Sequence, residues 1–446
     1  MGEAVLGPPV APKKTTQRLF TAAAKSLDAL EDYIANKDST HNVPPSEIAL
    51  NRNANAKLLP YRTFAVAESQ QTAQYAKPVS LPERPKRLMF TFGGTGPQYW
   101  QQGHDLMRHP VFAQSVYECD KIHVQHTGRS FLSDTGLFIG QPSQRLDLEH
   151  MDIWPGDVVC LANAIYQIAM YDLLRSINVS PDVVLGFSLG ETTALYGSGA
   201  ISREMAVKIV IAIGRALLRI DNSGGLVIGV MDVSNALVMQ AMDTLPTHIR
   251  RNLYISSFIT PTVMGVVGPS ADVEYFADNL PPGASYTRIH VGSAVHSPFL
   301  DLSEAPFREE VERIFELHGK CVRAPVIPMM SSVTGEWKTD APTVDYVWDS
   351  IRRTILMKPV VEKLVAEYGE QSTFIELSPH PSLSPYIEAM GAGASFGPCA
   401  RPPSARRLAA GATYVSEHMA FLQACGRLFT YGIDTMDLAA VNKYDG

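Results

Sequence analysis

The residues best suited to chemistry lie in one short run. Val183-Val184-Leu185 enters Gly186-Phe187-Ser188-Leu189-Gly190, and Glu191-Thr192-Thr193-Ala194-Leu195 continues with helical character. This is the pattern of a strand, a sharp turn carrying a serine, and a helix. Glycines two before and two after Ser188 let the backbone turn tightly and leave the hydroxyl at the tip, beside a helix N-terminus that favours negative charge. The chemistry this fits is acyl transfer or hydrolysis through an acyl-serine. The alternative is a tight glycine turn with a solvated serine. A serine hydroxyl is a weak nucleophile at its free pKa and needs a base. Among twelve histidines, His296 stands out in Gly292-Ser293-Ala294-Val295-His296-Ser297-Pro298. His380, between Pro379 and Pro381, is second and reads as a turn element, and His290 lies inside a predicted strand and reads as structural. Spacing alone does not pair Ser188 with any of them.

The elements that must position these residues follow from periodicity. A helix is predicted over Thr16–Ala35, with Leu19, Ala23, Leu27, Leu30 and Ile34 on one face. A second helical stretch is predicted around Ser46–Leu58, before a strand at Thr63–Ala67. Arg87-Leu88-Met89-Phe90-Thr91-Phe92 is a buried-strand pattern that ends in the loop Gly93-Gly94-Thr95-Gly96-Pro97. From there to about residue 222, helices alternate with short apolar strands, which argues a parallel α/β sheet. Residues 226–292 read differently: strand Leu226–Met231, helix Ser234–Met242, strands Leu253–Ser257 and Val263–Val267, helix Ala271–Asn279, strand Tyr286–Val291. That β-α-β-β-α-β order is the ferredoxin-like pattern, and it reads as a small subdomain inserted in the larger one. The α/β pattern resumes through Phe374–Leu377, and a helix near Tyr414–Leu428 follows.

Composition narrows the function classes. The chain has 446 residues, 46% hydrophobic and 19% charged, enough for two or three structural units. A net charge of −7 gives no electrostatic support for a nucleic-acid partner. Five cysteines lie far apart with no CxxC pair, so no metal site and no redox pair is expected, and reduced thiols in a cytoplasmic setting are the simple reading. The N-terminus has no basic-then-apolar signal pattern. The longest apolar run, Leu161–Leu174, is interrupted by Asn163, Gln167 and Asp172, so no membrane association is expected.

The order of motifs resembles the acyltransferase domains of modular (type I) polyketide synthases and the malonyl-CoA:acyl-carrier-protein transacylases. Phe90–Trp100 is similar to the family's Gly-Gln-Gly-x-Gln opening, Ser180–Glu191 to its nucleophile motif, and Val295-His296-Ser297-Pro298 to its base motif. Ile327–Gly335 and Ile375–Leu383 resemble two further blocks, and the first 85 residues resemble a ketosynthase–acyltransferase linker ending in Tyr61-Arg62-Thr63-Phe64-Ala65-Val66. The resemblance implies an α/β-hydrolase-like large domain with a parallel sheet, at residues 87–224 and 293–405. It implies the ferredoxin-like subdomain at 225–292, an α/β linker region at 1–86 and a linker segment at 406–446. Ser188 would attack a thioester carbonyl and His296 would serve as base, oriented by a main-chain carbonyl in place of an aspartate. The backbone N–H groups of Thr95 and Leu189 would hold the oxyanion. Gln98 would order the Gly93–Pro97 loop, and Glu191 would support the first turn of its helix. No cofactor is bound in this reading: acyl-CoA is the donor and the phosphopantetheine thiol of an acyl carrier protein the acceptor. The carrier protein is the partner, with a ketosynthase and other synthase domains if the chain is part of a longer one. Arg352, Arg353 and Lys358 are candidates for a basic docking patch, against a plain solvated face.

Several positions depart from the family pattern, and they fall in the expected substrate pocket of Cys160, Phe187, Arg215, Val295 and Phe258. Phe187 replaces the histidine before the serine, and Cys160 falls where a glutamine is usual. Ile213 occupies the place of the arginine that pairs with a malonyl carboxylate, with Arg215 two residues on. Ser257-Phe258-Ile259-Thr260-Pro261 lacks the family's asparagine, and Ser293-Ala294-Val295-His296 matches neither common extender signature. Each change makes the pocket less polar, and a carboxylate buried without a cation costs several kcal/mol. A neutral starter or other neutral acyl group is therefore one expectation; a malonyl-type extender is the other, if Arg215 reaches the pocket. A carrier-protein thioester hydrolase and a non-enzymatic docking module are the competing functions. The inserted unit and motif order favour transfer over hydrolysis, and the Ser188–His296 pair speaks against a docking module.

Overall fold

The computed structural model describes residues 17–35, 48–51, 56, 59–143, 145–221, 224–289, 292–403, 408–409, 411 and 413–443. The chain divides into two compact units, one of residues 1–83 with 425–442, the other of 84–424 with 443–446. The C-terminal stretch read as one linker segment is thus split, its last part belonging with the N-terminal unit.

In the first unit, four strands form an antiparallel sheet in the order β2-β1-β3-β4: β1 Arg18–Ala24, β2 Ile48–Leu50, β3 Tyr61–Ala67 and β4 Val79–Ser80. This corrects two expectations. The single helix over Thr16–Ala35 is a strand followed by a helix, Leu27–Ala35. Leu19 and Ala23 fit a helical face, but all seven residues of β1 pair with β3, and Ala22 and Ala24 pack under Leu30 and Tyr33. Pairing across the sheet overrides local periodicity here. Likewise Ile48–Leu50, expected in a helix, pairs with Ala22–Ala24, while 46–47, 52–55 and 57–58 lie outside the described residues.

The second unit has an α/β fold. Its central sheet is parallel throughout, in the order β11-β6-β5-β13-β14, from β5 Arg87–Phe92, β6 Val183–Gly186, β11 Met329–Met330, β13 Ser372–Glu376 and β14 Ala394–Phe396. Leu88–Phe92 and Val183–Gly186 are buried throughout, as strands covered on both faces must be. Helix Gly156–Ser176 is long and apolar enough to cross a membrane by composition, contrary to the sequence reading, yet it is almost wholly buried as a core helix.

The inserted subdomain forms its own sheet, β10-β7-β9-β8-β12, from β7 Gly225–Met231, β8 Tyr254–Thr260, β9 Val263–Pro269, β10 Ser285–Ile289 and β12 Ile355–Leu356. Helices Asn235–Asp243 and Ser270–Asp278 cover one face, burying Ile228, Val230, Met264, Val266, Val273 and Phe276. The fifth strand, β12, comes from the main α/β part and was not foreseen, since two residues carry no periodicity. His290 and Val291, expected to end β10, lie outside the described residues. Residues of β7 and β8, among them Val227, Gly229 and Ile259, and the turns that follow β5 and β6, at Thr95 and Ser188, bound the cavity described next. Such crevices are where open α/β sheets bind ligands.

Candidate active site

Ser188 sits at the tip of the β6 turn with φ +58°, a left-handed conformation uncommon outside glycine. The turn is held by Phe187 N–H donating to Phe92 O (2.9 Å) and Glu191 N–H to Ser188 O (2.9 Å). Gly190 is required there: a Cβ would stand 1.9 Å from Phe92 O. Gly186 is equally confined, its Cβ position 2.4 Å from the backbone of Glu191. The strand, turn and helix therefore fit together only with glycine flanking the serine.

His296 is also left-handed, at φ +56°. Its Nδ1 lies 2.8 Å from Arg353 O and its Nε2 2.7 Å from Ser188 Oγ. A carbonyl only accepts, so Nδ1 carries the proton and Nε2 is free to accept from the serine. Among the described residues no aspartate bonds the ring; the carbonyl of Arg353 fixes it. Burial lowers the imidazole to about pKa 4, the Arg353 hydrogen bond opposing this in part. The imidazole is therefore neutral, with Nε2 able to accept a proton, throughout the neutral range. The single-turnover rate of serine acylation is expected to show its acid limb near pH 4 and no inflection from His296 between 6 and 8. A His296 limb at or above the ordinary value of 6.5 would contradict this geometry.

A cavity of about 250 Å³ opens beside the pair. Thr95, Phe187, Val295 and Ile259 line it together with Ser188 and His296. The Thr95 and Leu189 N–H groups make no hydrogen bond among the described residues. The loop bearing Thr95 is pinned on both sides: Gln98 Oε1 accepts from Gly96 N–H (2.6 Å) and Asn163 (3.3 Å), and Gln167 Nε2 donates to Gly93 O (2.7 Å).

Three residues expected in the pocket are elsewhere. Arg215 is ion-paired with Glu310 and lines a separate cavity among Arg129, Asp134 and Arg145, because its position on helix Arg203–Asp221 faces helix Glu304–His318. Ile213, at the family's arginine position, is buried. Cys160 is fully buried and does not line the cavity. Its helix reaches the loop through Asn163 and Gln167 instead. Phe258 packs into the subdomain core, because an irregularity in β8 turns Ser257 and Ile259, not Phe258, to the cavity.

Asn163 and Gln167 were missed as site residues, although their polar side chains at helical spacing in an apolar helix were a usable signal. The Arg353 carbonyl could not be found, since a main-chain acceptor leaves no mark on residue type. Glu191 does more than cap its own helix. It is buried, and its carboxylate accepts from Ser332 N–H (2.5 Å), Ser332 Oγ (2.7 Å) and Tyr346 Oη (2.7 Å). Burial raises it to about pKa 7 despite these donors. Glu191→Ala is expected to cost about 2 kcal/mol or more, since the buried Ser332 N–H and hydroxyl both lose their acceptor at about 1–3 kcal/mol each. A thermal midpoint unchanged from the parent would contradict that. His380 is a half-buried turn residue whose Nδ1 accepts from Arg401 N–H (3.2 Å). The candidate docking cations are each tied to an acid: Arg352 to Asp301, Arg353 to Asp349 and Lys358 to Glu362.

A nucleophile elbow, a carbonyl-oriented histidine and an inserted antiparallel subdomain define a class of acyl-transferring domains. Residues 89–401 match the acyl transferase domain family, and the chain belongs to it. It is 29% identical over 436 residues to the highly reducing polyketide synthase stpks1 of Strobilurus tenacellus, covering 96% of this chain and 15% of that protein. It is 26% identical to the polyketide biosynthesis acyltransferase homolog BaeD of Bacillus velezensis, covering 68% of this chain and 86% of that one. The chain thus spans under a fifth of stpks1, and only 8% of the erythronolide synthase EryA2 of Saccharopolyspora erythraea. Among solved structures, the acyl transferase domain of SpnD, in complex with 2-(pent-4-yn-1-yl)malonyl, superposes with a TM-score of 0.73 at 22% identity, covering 94% of this chain and 97% of that one. A loading acyltransferase from the avermectin modular polyketide synthase gives 0.62 at 24%, covering 77% and 99%. These likenesses establish the shared fold.

Proposed function

We propose that this chain moves an acyl group from acyl-CoA, through an ester on Ser188, to the phosphopantetheine thiol of an acyl carrier protein in polyketide or related fatty-acid assembly. The observation that carries the reading is the 2.7 Å contact from Ser188 Oγ to a neutral, carbonyl-oriented His296. The names of the relatives support the polyketide setting, with a ketosynthase as a neighbouring domain of a longer synthase. Residues 87–224 and 293–405 serve as the catalytic domain, 225–292 as the pocket-closing subdomain, and 1–86, with the part of the C-terminal stretch that belongs to the same unit, as the linker region.

The chemistry runs in two matched halves. Ser188 Oγ attacks the thioester carbon as His296 Nε2 takes the hydroxyl proton. The oxyanion is held by Thr95 and Leu189 N–H, donors of a kind each worth about 10²–10³ in rate. The C–S bond breaks, and His296 returns the proton to the departing CoA sulfur. In the second half His296 takes the carrier thiol's proton, the sulfur attacks the ester, and Ser188 leaves with that proton. Phe187 and Val295 give the cavity apolar walls beside Ser188, and the family's arginine position is held by Ile213, buried outside the cavity lining, which supports a neutral acyl group over a malonyl one.

Transfer and hydrolysis separate on the lifetime of the acyl-enzyme. The ester is expected to persist in buffer and to discharge on adding phosphopantetheinylated carrier protein. Loss to water at the same rate without carrier would make the chain a hydrolase.

A further inference from the structure

The cavity has a polar spot that the transfer chemistry does not use. The pairing of β8 with β9 shifts register between Ile255 and Ser257. In a regular strand Ser256 and Ser257 would face opposite sides of the sheet. Here both hydroxyls converge on one glycine: a Cβ on Gly265 would stand 2.3 Å from Ser256 Oγ and 2.6 Å from Ser257 Oγ. Both residues are only 4% exposed, and both line the cavity that holds Ser188 and His296. Neither hydroxyl has a hydrogen-bond partner among the described residues. The space they face is kept open by a second glycine, since Gly229 pairs with Gly265 and a Cβ there would meet only the Thr287 methyl, at 3.5 Å.

We infer that Ser256 and Ser257 are specificity residues that recognise an uncharged acyl chain bearing a hydroxyl or keto oxygen beyond the thioester carbonyl. The inference rests on the acyl-serine reading above. In that reading the thioester oxygen is taken by the Thr95 and Leu189 amides, so the serines are left to read a second oxygen. A plain alkyl chain would cover two buried hydroxyls and leave them unpaired, which a site penalises. A carboxylate would satisfy the hydroxyls but needs a cation. The cation that lines the cavity, Arg288, is half-exposed and already paired with Glu274 at 3.0 Å. Arg215 is engaged elsewhere.

The test compares 3-hydroxybutyryl-CoA, butyryl-CoA and malonyl-CoA as donors, reading the rate of mass gain on Ser188 by intact-protein mass spectrometry. The hydroxy chain is expected to load about tenfold to a hundredfold faster than butyryl, the rate equivalent of sparing one buried hydroxyl from being left unpaired. In the double variant Ser256→Ala/Ser257→Ala that ratio is expected to fall to about one. Gly229→Val serves as a second variant, expected to slow both four-carbon chains while acetyl-CoA still loads. Equal rates in the parent, a preference that survives in the double variant, or fastest loading by malonyl would overturn the inference while leaving acylated Ser188 in view. Failure of every donor to add mass at Ser188 would overturn the acyl-serine reading with it.

Discussion

Ser188→Ala is expected to form no acyl-enzyme with any acyl-CoA, and His296→Ala to slow acylation by at least about 10⁴-fold, as when a member of a nucleophile–base unit is removed. The two losses should not multiply: the double variant is expected to be no slower than the worse single one, because the residues act as a unit. The geometry makes this a strong expectation. Both residues are held in left-handed backbone conformations, φ +58° and +56°, which cost energy and persist only where the surroundings enforce them. For Ser188 the enforcement is the glycine-tight turn against Phe92 O. For His296 it is the Ile351 carbonyl on its backbone N–H (3.1 Å) and the Arg353 carbonyl on its ring. A His296→Ala rate within tenfold of the parent, measured by rapid quench, would remove the histidine from the chemistry.

The second large effect concerns the donor. Malonyl-CoA is expected to acylate Ser188 about 10²–10³ times more slowly than an uncharged donor of similar length, because a buried carboxylate without a cation loses several kcal/mol. Arg215→Ala is expected to leave that preference unchanged, since the guanidinium is bound to Glu310 outside the cavity. The measurement is a competition of paired donors, read as the ratio of acyl-enzyme masses. Rapid malonyl loading that disappears in Arg215→Ala would mean that the side chain swings into the pocket, and the neutral-acyl reading would fail.

How much of this could be read from residue types differs by element. The elbow was readable because glycine at 186 and 190 answers a steric demand that no other residue meets. The inserted subdomain was readable because its six elements alternate clearly between periods of two and of 3.6. The N-terminal strand was not, since Leu19 and Ala23 fit a helical face as well as a sheet and only pairing with β3 decides between them. Pocket residues were the weakest expectation. Arg215, Cys160 and Phe258 were placed by position along the chain, whereas their contacts depend on the rotation of a helix and on one irregular step in β8. That same step brings Ser256 and Ser257 to one side, which spacing alone argues against. The partner of His296 was open only as a kind of acceptor, because the Arg353 carbonyl is common to every residue type.

The most direct test of the account is to incubate the protein with an acyl-CoA, trap the ester by acid quench, map it by peptide mass spectrometry, and repeat the experiment after adding phosphopantetheinylated carrier protein. The account predicts one acyl mass, on the peptide bearing Ser188, absent from Ser188→Ala and moved to the carrier thiol when carrier is present. An adduct on another residue, such as the exposed Cys321, or acyl transfer that continues in Ser188→Ala, would contradict it.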